Sequence, residues 1–402
     1  GFSNDGKMKM MKTEIIKKYL RKTIVYRKVK QGIISLLYIF PIDDKKIVFD
    51  NFEGKGFGDD PKYIAEELLQ RNLDLKMIWV TRNVQINLPD KICAVKYGTI
   101  RAAYHWITAK VWVDNVKSTI RPAKRKGQYY IQTWHSTLGF KKNEQDAPKL
   151  PARYIKQAMK DGKQIDLMYS DNEFRCEKYR NSFWYYGEVI KCDVPRMEIL
   201  LHDNCAVKNK VRDELKIEHE KRIVLYAPTF RKKTNNAIYK VDASSICQVL
   251  KERFGYQYEF IMRLHPNESD YAKEITQELG VIDATGYPDM QELLAAVDIL
   301  ITDYSGCMFD FGFARKPVFL LAKDVDEYLR EEREWYFKLN DVPFDLAQSE
   351  RELENNILKF DEHKYRILCD EFEKKIGFVD SGMGAKVLAD RIIKQMKKEN
   401  IC

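Results

Sequence analysis

The chain contains the sequence Val297-Asp-Ile-Leu-Ile-Thr-Asp-Tyr-Ser-Gly-Cys-Met-Phe-Asp-Phe-Gly312, which has the pattern of a strand, a polar turn and a helix. Residues 297–301 are almost entirely apolar, as in a strand of a parallel sheet covered on both faces. Ser305 is a good N-cap residue, and Gly306 lets a ligand approach the backbone. A helix start combines free N–H groups with the positive end of the helix dipole, so this turn could bind a phosphate. The alternative is an ordinary capped connection between a strand and a helix.

Strands and helices alternate through the rest of the chain in two consecutive sets. The pattern predicts a first set of strands at 46–50, 75–80, 94–95, 111–114, 129–133 and 167–170, with a last strand that ends in a turn within 191–196. It predicts a second set at 223–226, 258–262, 280–283, 298–301 and 317–321. Residues 203–220 are charged and lack strand character, so we place the domain boundary there. The alternation predicts an α/β protein with two doubly wound domains that face a cleft.

We therefore divide the 402 residues into four parts. These are an N-terminal segment (1–40), a first domain (41–205), a second domain (206–382) and a C-terminal helix (383–402). Two or three domains are the expectation for a chain of this length.

The positive charge is concentrated at the start of the chain. The formal net charge is +9, and residues 1–40 hold ten Lys or Arg against two acidic residues, a net +8. The remainder is close to neutral, which argues against a large nucleic-acid footprint. The sequence therefore predicts no nucleic-acid partner and a local basic anchor.

Residues 12–40 have the pattern of a basic amphipathic helix. An apolar stripe lies beside a Lys/Arg face, which is typical of a helix on an anionic membrane surface. The alternative is a helix packed on the protein body with a solvated charged face. We favour the membrane because the charge is so one-sided. The apolar run 33–40 is far too short to span a bilayer, so the predicted attachment is peripheral.

Several common classes of site are absent from the sequence pattern. The eight cysteines form no C-x-x-C pair, which predicts a reduced, cytosolic compartment without zinc or a disulfide framework. No acidic cluster has metal-ligand spacing, so we predict no protein-bound metal and no cofactor. The Gly-rich stretch 51–58 lacks the G-K-[ST] ending of a phosphate loop, and we interpret it as a loop that lines a cleft.

Four polar turns follow predicted strands, at 133–136, 227–231, 263–266 and 302–306. They contain two histidines, His135 and His265, and two arginines, Arg231 and Arg263. A histidine can take a proton from an alcohol near neutral pH, while arginines and a helix start can hold a diphosphate. The turns therefore favour transfer from a nucleotide-diphosphate donor to a hydroxyl group. The alternative is that both histidines only hold loops, the role that we assign to His105, His202, His219 and His363.

Four motifs resemble the CDP-glycerol glycerophosphotransferase family, the teichoic acid primases and polymerases with relatives in capsule operons. They are Trp134-His135, Tyr226-Ala-Pro-Thr-Phe-Arg231, Arg263-Leu-His-Pro266, and Thr302-Asp-Tyr-Ser-Gly306 with Phe309-Asp-Phe311. The resemblance covers residues 45–380 and implies a GT-B-type fold of two Rossmann-like domains. It also implies peripheral attachment to the cytoplasmic face of the bacterial cell membrane. The implied donor is CDP-glycerol or CDP-ribitol, the acceptor is a lipid-linked saccharide or polyol-phosphate chain, and CMP is released.

The resemblance also implies roles for individual residues. His135 matches the first-domain histidine, a candidate general base on the acceptor, and His265 matches the second-domain histidine that contacts the donor phosphates. The implied diphosphate contacts are Thr229, Arg231, Arg263, Ser305 and Gly306. The further candidates for donor contacts are Asp289, Asp303 and Asp310.

The chain departs from the family pattern after the first histidine, where it reads Ser136-Thr-Leu138, and at Cys192-Asp-Val-Pro-Arg-Met-Glu198. Two other functions stay open. One is a GT-B glycosyltransferase that uses a sugar nucleotide, because the fold would be the same. The other is a membrane-surface scaffold without turnover, although the presence of His135 and His265 argues against it.

Overall fold

The computed structural model describes residues 24–118, 120–202, 204–231, 236–265, 268–331 and 334–397. This part of the chain forms a seven-stranded and a six-stranded sheet, and every pairing between neighbouring strands is parallel. Helices connect the strands. The α/β prediction is confirmed, with two doubly wound units of GT-B type.

The first sheet has the strand order β3-β2-β1-β4-β5-β6-β7. Its elements and those around it are α1 (Ile24–Leu36), β1 (Asp43–Asp50), α2 (Asp59–Gln70), β2 (Lys76–Thr81), β3 (Ile92–Lys96), α3 (Ile100–Thr108), β4 (Ala109–Asp114), β5 (Tyr129–Gln132), α4 (Ala152–Gly162), β6 (Leu167–Ser170), α5 (Glu173–Ser182), β7 (Glu188–Lys191) and α6 (Glu198–Leu201). The order changes direction between β1 and β4, so the carboxyl ends of these two strands form the switch point where ligands bind in such sheets.

The second sheet has the order β10-β9-β8-β11-β12-β13 and changes direction between β8 and β11. Its elements, followed by the last helices, are α7 (Cys205–Leu215), β8 (Arg222–Tyr226), α8 (Ala243–Phe254), β9 (Tyr258–Met262), α9 (Ser269–Leu279), β10 (Ile282–Asp283), α10 (Met290–Ala296), β11 (Ile299–Thr302), α11 (Cys307–Phe313), β12 (Val318–Leu321), α12 (Val325–Glu331), β13 (Asp345–Ala347), α13 (Glu350–Leu358), α14 (Glu362–Ile376) and α15 (Gly384–Lys397).

The stretch at 297–312 occupies the centre of the second sheet. All four residues of β11 are buried, and the strand pairs with β8 on one side and β12 on the other. Asp298, the polar exception in the apolar run, accepts hydrogen bonds from the Ile223 backbone N–H (2.8 Å) and from Arg222 (2.8 Å). The carboxylate therefore ties the amino end of β11 to β8.

The chain returns to the first sheet at its end. Helix α15 packs against α2, β1 and β4. Arg71, directly after α2, pairs with Asp390 at 2.6 Å, and Arg391 pairs with Glu188 at 2.8 Å. Helix α7, which fills the predicted boundary region, packs instead on α10 of the second unit. The apolar face of α15 thus completes the core of the first sheet rather than of the second.

Helix α1 lies on the outside of the first unit. It packs on α3, and the Lys30 ammonium group donates to the Gly98 carbonyl at 2.6 Å. Just after the helix, the Tyr38 hydroxyl donates to the Ala123 carbonyl at 2.8 Å. Residues 12–23 of the predicted amphipathic helix lie outside the described residues. Within the described part of the chain, no helix combines the length and apolar character needed to cross a membrane.

Candidate active site

His135 follows β5 at the carboxyl edge of the first sheet. The preceding residue, Trp134, has a left-handed backbone (φ 58°), which is uncommon for a bulky residue. Its N–H donates to the side-chain oxygen of Gln132 at 2.9 Å, and its ring stacks on the imidazole with 4.4 Å between centroids. Backbone strain of this kind persists only where the surroundings impose it. The turn therefore holds the imidazole in one orientation.

The protonation state of His135 follows from its hydrogen bond. The Nδ1 atom lies 2.8 Å from the backbone carbonyl of Asn115. Because a carbonyl oxygen only accepts, Nδ1 carries the hydrogen, and in the neutral ring Nε2 is left with its lone pair. An imidazole in this tautomer can take a proton at Nε2.

Asn115 stands directly after β4, at the switch point of the first sheet. Its side-chain amide donates to Asn51 (2.8 Å) and to the Asp59 carboxylate (3.0 Å). Its side-chain oxygen accepts from the backbone N–H of Phe52 at 2.8 Å. Every polar group of the Asn115 side chain is therefore hydrogen-bonded. Because these bonds fix the residue, its backbone carbonyl, which holds His135, cannot easily rotate away.

The surroundings of His135 lower its pKa. Burial is the largest cause, and the positive charges of Arg196 and Arg175 act in the same direction. The hydrogen bond to Asn115 and the negative charge of Asp59 oppose them without cancelling the shift. The ring is therefore neutral at pH 7, as a general base requires.

His265 follows β9 at the carboxyl edge of the second sheet and packs on Phe230, with 5.2 Å between ring centroids. Partial removal from solvent and then the cations Lys55 and Arg263 lower its pKa. Lys55 belongs to the Gly-rich loop of the first unit, and Phe52 of the same loop lies 5.3 Å from the His135 ring. Residues of this one loop thus act on both histidines, which stand at the carboxyl edges of the two sheets.

The turn after β11 is held by an acidic side chain. The Asp303 carboxylate accepts from the N–H (2.9 Å) and the hydroxyl (2.6 Å) of Thr229, and Arg231 donates to it at 2.7 Å. Arg231 also pairs with Asp324 at 2.7 Å. These three predicted donor contacts therefore hold one another and join the turns after β8 and β11.

Ser305 and Gly306 stand at the start of α11. Gly306 has an ordinary helical backbone (φ −59°), and a Cβ atom added there would meet no atom within 4 Å. The space beside the Gly306 Cα atom is therefore open, so a ligand could approach the backbone there. The helix itself is short, at seven residues, so its dipole alone is a modest attraction for an anion.

The other predicted donor contacts have protein partners. Arg263 donates to the carbonyls of Tyr287 (2.6 Å) and Ala284 (3.2 Å). Asp289 caps α10 and accepts from Lys62 (2.6 Å) and Tyr63 (3.0 Å) of the first unit. Asp310 pairs with Arg196, also of the first unit, at 2.9 Å. The two aspartates thus lie at the contact between the units, each paired with a cation from the other side.

Three residues of the site were not predicted: Asn115, Asp59 and Arg196. Asn115 follows a predicted strand, so the rule that selected the other turns could have found it. Arg196 lies in the departing motif 192–198, where we assigned it no role. Asp59 directly follows the Gly-rich stretch and has a left-handed backbone (φ 54°), which the sequence does not reveal.

Among the described residues, no group of three or more His, Cys, Asp or Glu side chains has the arrangement of a metal site. The prediction of a metal-independent site stays a prediction. Of the remaining histidines, His105 lies in α3, and burial lowers its pKa to about 4. His202 lies 3.7 Å from Asp380, and His219 lies 4.0 Å from Asp213.

The molecule is thus a two-unit α/β protein with a neutral histidine at the edge of one sheet and an open helix start at the edge of the other. The sequence profile of the CDP-Glycerol:Poly(glycerophosphate) glycerophosphotransferase family matches residues 33–394, and the chain belongs to this family.

Similar proteins include two teichoic acid poly(glycerol phosphate) polymerases. The polymerase of Staphylococcus epidermidis is 28% identical over 416 residues, covering 98% of this chain and 58% of the relative. The polymerase of Bacillus spizizenii is 26% identical over 396 residues, covering 95% of this chain and all of the relative. The chain therefore spans little more than half the length of the first relative and the full length of the second.

The fold is also that of a solved wall teichoic acid polymerase, TagF, which is 27% identical. The TM-score is 0.82, and the match covers 97% of this chain and 99% of that one. A histidine-to-asparagine variant of TagF with CDPG matches with a TM-score of 0.81 and 26% identity over the whole of both chains.

Proposed function

We propose that the protein transfers glycerol phosphate, or a related polyol phosphate, from a CDP donor to a hydroxyl group and releases CMP. The donor is CDP-glycerol or CDP-ribitol, and the acceptor is a lipid-linked saccharide or polyol-phosphate chain in teichoic acid or capsule synthesis. The observation that supports this most strongly is the geometry of His135, with Nδ1 held by Asn115 and Nε2 free to accept a proton. Membership of the family supports the donor class.

In the proposed reaction, the acceptor hydroxyl oxygen attacks the β-phosphorus of the donor. The new oxygen–phosphorus bond forms as the bond from that phosphorus to the bridging oxygen breaks, and CMP leaves. The hydroxyl proton passes to Nε2 of His135. Asp59 stabilises the resulting imidazolium, because its negative charge favours the protonated ring.

On the donor side, the proposed direct contacts are His265, Ser305 and Gly306. A Cβ atom at Gly306 would meet no atom within 4 Å, and His265 is exposed, whereas Thr229 and Arg231 both bond to the Asp303 carboxylate. We infer that these three shape the turns around the diphosphate, with Arg263 supporting the neighbouring loop. Asp289 and Asp310 would act on the donor only through the interface that they form.

We propose that the protein works as a peripheral protein at the cytoplasmic face of the cell membrane, where a lipid-linked acceptor is accessible. The support is the outer surface of α1 and of the short segment after it, which ends at Ile39. Val29 is 56% exposed, Leu36 67% and Ile39 78%, while Arg27 and Lys28 are exposed beside them. Apolar residues flanked by cations match an anionic lipid surface.

A donor panel tests the proposal. The protein is incubated with CDP-glycerol, CDP-ribitol and UDP-sugars, each with a lipid-linked acceptor, and release of CMP or UDP is measured. We expect CMP from a CDP-polyol with the wild-type protein, and release slower by about 10²–10⁴-fold with folded His135→Ala. Release of UDP alone would identify a sugar-nucleotide glycosyltransferase. Turnover of no donor, with vesicle binding intact, would identify a membrane-surface scaffold.

A further inference from the structure

Arg196 is a buried arginine between the two units that the proposed mechanism does not use. It is 6% exposed and lies after β7, in the turn Pro195–Met197. Its backbone N–H donates to the Asp60 carboxylate at 2.9 Å, which fixes the start of the side chain. A buried cation is costly unless its neighbours satisfy it, so the identity of those neighbours matters.

The guanidinium contacts three different parts of the site. Nε lies 3.3 Å from the carboxylate of Asp59, and Nη2 donates to the Thr137 hydroxyl at 2.8 Å. On the third side, Nη1 lies 2.9 Å from one Asp310 oxygen, and Nη2 lies 3.4 Å from the other. One planar group is therefore held in a fixed orientation by both units of the molecule.

Two of these contacts lead to His135, and the third leads to the proposed donor turn. Asp59 accepts from the amide of Asn115, whose carbonyl holds His135, and Thr137 stands two residues after His135 in the same turn. Asp310 lies in the first turns of α11, the helix that begins after Gly306. The Arg196 side chain thus connects the residues around His135 to the helix that begins at the proposed donor turn.

We propose that Arg196 is a positioning residue that sets the separation and orientation of His135 relative to the donor turn at Ser305 and Gly306. This inference rests on the proposed function. A lysine cannot replace the arginine, because a single ammonium group cannot present the planar fork that reaches Asp59, Thr137 and Asp310 together. Catalysis that depends on alignment is sensitive to such a loss, since a misplacement of about 1 Å can cost ~10²-fold in rate.

The first test compares steady-state rates of CMP release from CDP-glycerol. We expect R196K to lower kcat by roughly 10- to 100-fold while KM for CDP-glycerol changes less than about threefold. The matched control is Lys142→Met, which removes an exposed 2.7 Å ion pair with Glu334 between the same two units. We expect it to stay within about twofold of wild type, as exposed pairs contribute little. A folded R196K protein with wild-type kcat and KM would overturn the proposal.

The second test follows the electrostatic contact and needs no turnover. The charged groups that face His135 are Asp59 from α2, Arg196 from the turn after β7, and Arg175 from α5. With 13C-labelled histidine, and His135→Asn to assign the signal, NMR titration reports the pKa of His135. We expect R196M to raise this pKa and D59N to lower it, with R196K close to wild type. An unchanged pKa in both R196M and D59N would contradict the contact.

The two tests separate the proposals. If the wild-type protein releases no CMP from any CDP-polyol, the proposed function fails, while the titration still decides whether Arg196 acts on His135. If R196M does not fold, the rate measurement still uses R196K and the pKa measurement still uses D59N. A role in folding alone predicts lower melting temperatures with kcat, KM and the His135 titration unchanged, and that outcome overturns the inference.

Discussion

The two histidines have different partners, so their removal should have different consequences. His135 is held by Asn115 in the first unit, and His265 borders the donor turns of the second. We expect His135→Ala to lower turnover by about 10²–10⁴-fold, or ~3–5 kcal/mol of barrier, with donor affinity nearly intact. His265→Ala should weaken donor binding and turnover together. Single-turnover rates and calorimetric titration with CDP-glycerol measure the two effects.

A matched control is His363→Ala, which we assigned no role in the reaction and expect to be neutral. A near wild-type rate for folded His135→Ala, at saturating donor and acceptor and with chemistry rate-limiting, would remove His135 from the mechanism. If both variants instead lose thermal stability first, the two histidines only hold their loops.

The lowered pKa of His135 predicts the direction of the pH dependence. The neutral ring is the active form, so activity is retained below the ordinary histidine pKa of about 6.5 and falls only at more acidic pH. Because the folded state binds this proton more weakly than the unfolded state, stability also declines as pH falls below about 6.5. The pH profile of kcat/KM measures the first effect. An acidic limb centred above pH 6.5 would contradict the assignment.

At the scale of elements, the parallel strands bring polar turns together because all their carboxyl ends lie at one edge of each sheet. Helix α11 begins at such an edge, with open space beside Gly306. We expect Gly306→Val to leave the protein folded, since its φ of −59° suits any residue, and to block close approach of the diphosphate. The predicted loss of CDP-glycerol affinity is about tenfold or more, ~1.4 kcal/mol.

The matched control for this prediction is Gly32→Val. Gly32 also faces open space, but it lies in α1, away from the cleft turns. The Gly32→Val variant should bind CDP-glycerol as tightly as the wild type does. Unchanged calorimetric affinity in folded Gly306→Val would show that the start of α11 does not hold the donor.

At the scale of the whole molecule, charge and exposed apolar surface coincide on α1 and the segment that follows it. We expect Val29→Ser, Leu36→Ser and Ile39→Ser together to reduce sedimentation with anionic vesicles, because apolar burial and cationic attraction act jointly there. Activity on a soluble acceptor analogue should be unaffected. Substituting this face is a sharper test than deleting residues 1–40, since Lys30 and Tyr38 bond to the body.

The control for vesicle binding replaces exposed apolar residues that lie elsewhere on the protein. Tyr256 is 49% exposed and Leu358 40%, both in the second unit, and their replacement by serine should leave binding unchanged. Equal binding by the α1 variant and this control would show that the outer face of α1 does not attach the protein to membranes.

Much of this architecture could be predicted because strands and helices have local signatures. The apolar run at 297–301 corresponds to β11, and the prediction for 167–170 coincides with β6. The polar turns could be recognised because they directly follow such runs. The strand β13 was not predicted, since its three residues are too short to show a period.

The sequence by itself determined the two sets of alternating elements, the positions of His135 and His265 at strand ends, and the family of the chain. These are consequences of local residue patterns and of motifs that stand in order. Only the tertiary structure decided how the polar side chains are used. Lys62 meets Asp289 across 227 residues, and Arg196 meets Asp310 across 114. Such pairs form only when two sheets pack together, because nothing near either residue in the chain specifies its partner.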